Sequence, residues 1–130
     1  MIAIDTNVVV RLIVKDDLGQ FRSAERLVST QPVFLLKTVL LEIEWVLRKI
    51  YQNSPEEIGG ALKALVSLET VHVEDIGEIV IALDAYAQGM DFADAMHLAQ
   101  AAGTNGFASF DKSLQRTAKR VGGCIPVMVP

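Results

Sequence analysis

Five acidic side chains stand where short apolar runs give way to helical stretches: Asp5, Glu42, Asp91, Asp94 and Asp111. Asp5 closes the run Ile2-Ala3-Ile4, and Asp111 follows Gly106-Phe107-Ala108-Ser109-Phe110. Asp91 and Asp94 open a helical stretch over 92–102. Glu42 lies early in another, over 39–51, on the flank of its apolar stripe. Each acid has an ordinary structural explanation. Asp5 and Asp111 can cap the helices that follow them, and Asp91-Phe92-Ala93-Asp94 reads as a variant of the capping box. Glu42 is harder to place, because a carboxylate beside Val39 and Val46 needs a partner.

Taken together, the acids suggest chemistry. Ligands of an open parallel sheet bind outside the carboxyl ends of its strands, where these residues are expected. Several carboxylates gathered there repel one another, which raises their pKa values and costs stability. A bound divalent cation resolves that conflict. Mg²⁺ or Mn²⁺ prefers oxygen ligands and leaves positions for phosphate oxygens, a set suited to metal-assisted phosphodiester hydrolysis. With Cys124 as the only cysteine, neither a cysteine-based zinc site nor an internal disulfide is possible.

The elements that must position these residues alternate. Apolar runs at 2–4, 33–36, 70–73, 106–110 and 125–129 read as five strands. Helical periodicity covers 7–14, 20–29, 39–51, 55–68, 76–88, 92–102 and 112–121. Alternation of this kind implies crossover connections and a parallel sheet covered on both faces. The expected fold is therefore α/β, with one five-stranded parallel sheet in a single domain over 1–130. Ser54-Pro55-Glu56-Glu57 is a helix start with Pro at its first position, and Gly89 and Gly103 stand where helix ends favour a left-handed residue. In the helix over 39–51, Val39, Ile43, Val46 and Ile50 form the expected core stripe. Leu41 and Trp45 form a second strip that suits either helix burial or a homodimer interface.

Hydrophobic residues make up 51 % of the chain and charged residues 22 %, a balance that excludes disorder. The formal net charge of −4 argues at first against a nucleic-acid partner. Setting aside the five site acids leaves 11 acidic residues against 12 basic ones. The negative balance is then the mark of a metal pocket, and a polyanionic substrate is no longer excluded. No signal peptide or membrane span is evident, so a cytoplasmic location is expected.

Asp5-Thr6-Asn7-Val8, Glu42 within Leu40-Leu41-Glu42, Asp91-Phe92-Ala93-Asp94-Ala95 and Ser109-Phe110-Asp111-Lys112 resemble, in order and spacing, the successive motifs of PIN-domain ribonucleases. Length and motif order are similar to the small VapC toxins of VapBC toxin–antitoxin pairs. The resemblance implies a PIN-like α/β/α sandwich and metal-coordinating roles for Asp5, Glu42, Asp94 and Asp111. It places Asp91 at a second metal or in the outer shell, and Thr6, with Asn7 and Ser109, in support. It further implies an endoribonuclease acting on RNA such as tRNA or ribosomal RNA loops, with a VapB-like antitoxin as partner.

Other residues are weighed beside this set. His97 shares a helix face with Asp94, as a metal ligand or, preferably, a packing residue; His72 reads as core or surface. Cys124 has no base near it in sequence and reads as inert. Ala93, Ala95, Ala99, Ala101 and Ala102 would let their helix approach the sheet closely. Lys112, Arg116, Lys119 and Arg120 form either a solvated basic face or a guide for an RNA backbone. Two competing classes remain: a non-catalytic PIN-like scaffold that binds protein, and a receiver-type phosphoacceptor domain. The second lacks the paired acids after the first strand and the Lys after the fifth.

Overall fold

Val33 and Leu35 are fully buried, and the strand that holds them is the centre of the first half of the molecule. In a computed structural model describing residues 1–130, β2 (Val33–Leu35) lies between β1 (Ile2–Ala3) and β3 (Val71–Val73). Both pairings are parallel, with Ile2 opposite Val33 and Val33 opposite Val71. Parallel neighbours cannot be joined by a tight turn, so helices carry the chain between them. These are α1 (Thr6–Val14), α2 (Leu18–Thr30), α3 (Lys37–Lys49) and α4 (Pro55–Val66).

These elements make one compact unit, Met1–Glu74; a second comprises Asp75–Pro130. In the second, α5 (Ile76–Ala87) and α6 (Phe92–Gln100) precede β4 (Phe107–Ala108), α7 (Lys112–Val121) and β5 (Val127–Met128). β4 and β5 pair in parallel, with Phe107 opposite Val127. The α/β class and the parallel pairing agree with the sequence expectation. The single five-stranded sheet does not: the strands pair as three and two. Strands of two or three residues carry few side chains with which to specify a neighbour, so pairing is decided by packing that apolar patterning does not encode.

Local chemistry explains the helix boundaries. Ser54 Oγ accepts from the Glu57 N–H at 3.1 Å while Glu57 Oε1 accepts from the Ser54 N–H at 2.9 Å, a complete capping box ahead of Pro55. Gly89, with φ of +101°, follows α5, and Gly122, with φ of +74°, ends α7. Gly103 does not take the left-handed conformation expected of it; α6 ends at Ala101, whose φ is −84°.

The core stripe of α3 is Leu40, Ile43 and Leu47, turned one residue from the stripe expected; Ile50 is 62 % exposed. The displacement has a cause in Glu44, which is only 4 % exposed and accepts from Arg48 Nε at 2.8 Å and Nη2 at 3.3 Å. Because this carboxylate is paired one turn along its own helix, the face that carries it can be buried. Trp45 stays half-exposed. In the second unit α6 packs chiefly against α5, with its small residues Ala95 and Ala99 buried. The Tyr86 and Phe92 rings meet edge to face at 5.2 Å in the same layer.

Candidate active site

The first unit holds two of the five acids. Asp5 follows β1 in extended conformation and caps α1, its Oδ1 accepting from the Thr6 N–H at 2.8 Å. Thr6 is buried at 6 % exposure, and its hydroxyl donates to Glu42 Oε1. That bond supplies the partner Glu42 was expected to need, although Glu42 itself is exposed rather than set among apolar groups. Asp5, Thr6, Asn7 and Glu42 line one cleft of about 300 Å³, walled on its apolar side by Val10 and Val46.

Arg11 and Tyr51 line the same cleft, and the sequence reading had missed them. Arg11 Nε donates to Gln20 at 2.7 Å, and its Nη1 donates to Asp16 at 2.7 Å and to the Tyr51 hydroxyl at 3.3 Å. Tyr51 in turn donates to Asp16 at 3.1 Å. A guanidinium held by three partners gives the acidic cleft a fixed cationic rim. The available signal was Arg11 itself, a charge interrupting the apolar run 8–14.

The second unit holds the other three acids. Asp91 caps α6, its Oδ2 accepting from the Asp94 N–H at 3.1 Å. Asp94 sits in the first turn and is half-buried. Burial, reinforced by the charges of Asp91 and Asp111, pushes its pKa above the ordinary carboxylate value, with His97 partly offsetting the rise. Asp111 caps α7 and is held low, first by the Ser113 hydroxyl at 2.8 Å and then by the Leu114 N–H, with Arg116 adding a favourable charge. Ser109 Oγ accepts from the Asp111 N–H at 3.0 Å and so orients that residue's backbone.

The helix-capping explanation and a ligand role are compatible. Asp5, Asp91 and Asp111 each commit one carboxylate oxygen to a helix N-terminus, and none of their hydrogen bonds engages the second. Capping fixes where that second oxygen points. The donor set is all oxygen, which fits a hard divalent cation. No group of three or more His, Cys, Asp or Glu side chains is drawn together tightly enough to hold a metal ion as it stands. The structure thus presents the acids as two partial sets: Asp5 with Glu42, and Asp94 with Asp91 and Asp111.

Among the neighbouring residues, His97 stacks its ring on Phe107 at 6.3 Å, a packing role. His72 is exposed on β3. Burial pushes the Cys124 thiol up, the opposite of an activated nucleophile. Lys112, Arg116 and Lys119 are exposed, whereas Arg120 Nη1 donates to the Gln88 carbonyl at 3.0 Å and so satisfies the C-terminal end of α5.

The fold is α/β, its short parallel strands alternate with helices, and capping aspartates stand at the starts of α1, α6 and α7. The chain belongs to the PIN domain family, whose profile matches residues 2–120. PIN domains are in general nucleases, and they generally use divalent metal ions. No curated protein matches the chain significantly. No helix is long and apolar enough to cross a membrane.

Proposed function

We propose that the protein is a Mg²⁺- or Mn²⁺-dependent endoribonuclease, the toxin of a type II toxin–antitoxin pair, working as one domain over residues 1–130 in the cytoplasm. Its metal-ligating carboxylates are Asp5, Glu42, Asp94 and Asp111, with Asp91 in support. The observation that carries this reading is the split use of the capping aspartates, one oxygen on the helix and one left for a cation. The raised pKa of Asp94 supports it: burial is the main cause and the charges of Asp91 and Asp111 add to it, and a bound cation relieves both costs of the carboxylate's charge.

The chemistry such a cation supplies is an acidified water for attack on phosphorus and neutralisation of charge on the scissile phosphate. The chain's own residues do the positioning. Thr6 holds Glu42 by its hydroxyl, Ser109 holds the backbone of Asp111, and Asn7 lines the cleft beside Asp5. Lys112, Arg116 and Lys119 attract the RNA backbone, with tRNA or ribosomal RNA loops as the substrate class. A VapB-like antitoxin covers the acidic cleft in the resting complex. A homodimer forms through the α3 strip of Leu41 and the half-exposed Trp45, and a single-chain sedimentation mass at micromolar concentration would remove that element.

Melting curves with and without Mn²⁺ test the metal reading. Binding to the folded state alone stabilises it by about 2.7 kcal/mol at a hundredfold excess over Kd. The wild type is expected to melt higher in millimolar Mn²⁺, and Asp94→Asn to lose most of that gain. No shift in the wild type would favour a scaffold that binds protein without catalysis.

A further inference from the structure

Phe110 is 78 % exposed, more than any other large apolar side chain in the molecule. Its exposure is not that of a loose segment. On one side the Ser109 N–H donates to the Met128 carbonyl at 2.9 Å, and on the other the Asp111 N–H donates to Ser109 Oγ at 3.0 Å. Asp111 is fixed in turn by capping Ser113 and Leu114. The backbone that carries the ring is therefore pinned before and after it, and the ring is held out into water.

The surroundings say what such a ring meets. Phe110 directly precedes Asp111, one of the acids assigned above to the reaction, so the backbone that holds out the ring also carries that carboxylate one residue on, their Cα atoms about 3.8 Å apart. From Lys112 to the last residue the chain contains Lys112, Arg116, Lys119 and Arg120 and no Asp or Glu. Arg116 lies close enough to Asp111 to act on its charge. An outward aromatic face followed by the cations of α7 complements a single-stranded polyanion whose bases are free to stack. A protein partner packing on one isolated ring would have to cover this basic surface as well.

The geometry points to Phe110 as a base-stacking platform that seats an unpaired nucleotide of RNA next to the scissile phosphate. The inference rests on the ribonuclease reading and deepens it: paired nucleotides, whose bases are already stacked, gain nothing from the ring, so the protein selects unpaired segments.

Binding is measured with the full chain, kept from cutting by EDTA, using a labelled ten-nucleotide single-stranded RNA and the duplex of the same sequence. Loss of one stacked base weakens binding on the order of tenfold. Phe110→Ala is expected to lose about that much affinity for the single strand and none for the duplex, with an unchanged melting temperature. Phe110→Trp should bind like the wild type, and Phe110→Leu like the alanine variant. Equal single-strand affinity of Phe110→Ala and wild type overturns the proposal, as does full rescue by Leu. So does a change in sedimentation mass on Phe110→Ala with affinity intact, which would assign the ring to a contact between copies. The two readings fail separately: a wild type that cuts no RNA with added Mg²⁺ defeats the ribonuclease reading itself, whereas a wild type that binds RNA only as tightly as Phe110→Ala defeats only the stacking role.

Discussion

The Thr6 hydroxyl donates to the Glu42 carboxylate, tying the first turn of α1 to α3 across 36 residues of sequence. The bond explains how a buried threonine and an exposed glutamate belong to one cleft. Thr6→Val keeps the shape and removes the donor. We expect a loss of about 1 kcal/mol in urea unfolding, the usual worth of one such bond, and a clear fall in RNA cleavage. Thr6→Ser, which keeps the hydroxyl, should cleave close to the wild-type rate.

Asp94 carries its charge against burial and against two neighbouring carboxylates. Without metal, Asp94→Asn should therefore be more stable than the wild type, by roughly 0.5 kcal/mol or about 2 °C in Tm, while losing cleavage. Its folded pKa is raised, so the wild type loses stability as pH climbs from the ordinary carboxylate value through that raised one. The gap between variant and wild type should be full at pH 7 and should shrink as pH falls through that window. Calorimetry in EDTA across that range measures it.

Glu44 is buried and its charge is met by Arg48 on the same helix. Arg48→Met takes away that guanidinium. Breaking a fully buried pair costs about 3–5 kcal/mol, but Arg48 is itself partly in water, so about 1–3 kcal/mol is expected. Adding Glu44→Gln to Arg48→Met should recover part of the loss in denaturant titrations.

The capping box at α4 gives a second pH signature. Glu57 is held below its ordinary pKa, chiefly by the Ser54 N–H. Its contribution is present above the ordinary Glu value and is lost as pH falls through the lowered one. Ser54→Ala should cost about 1 kcal/mol at pH 7, while Glu57→Ala should lower the melting temperature at pH 7 and approach the wild type below the lowered Glu57 value, read from paired melting curves.

Much of this architecture was legible in the residues. Ser54-Pro55-Glu56-Glu57 announced the start of α4 because capping is local chemistry, and Ile2-Ala3-Ile4 with Asp5 announced both a strand and its cap. The core face of α3 was read one residue off, since apolar spacing alone favoured Val39 and Ile50 and took no account of a buried Glu44 satisfied by Arg48. The division of five short strands into three and two depends on packing between distant segments, as does the Thr6–Glu42 bond. The Arg11–Asp16–Tyr51 network was invisible for the same reason: its members are 35 and 40 residues apart where they meet.

Cleavage of total cellular RNA by the wild type and by Asp5→Asn, each with added Mg²⁺ and with the cut sites sequenced, tests the central claim most directly. The account predicts discrete cuts by the wild type, abolished by EDTA, and none by Asp5→Asn. Equal cleavage by both proteins would contradict it.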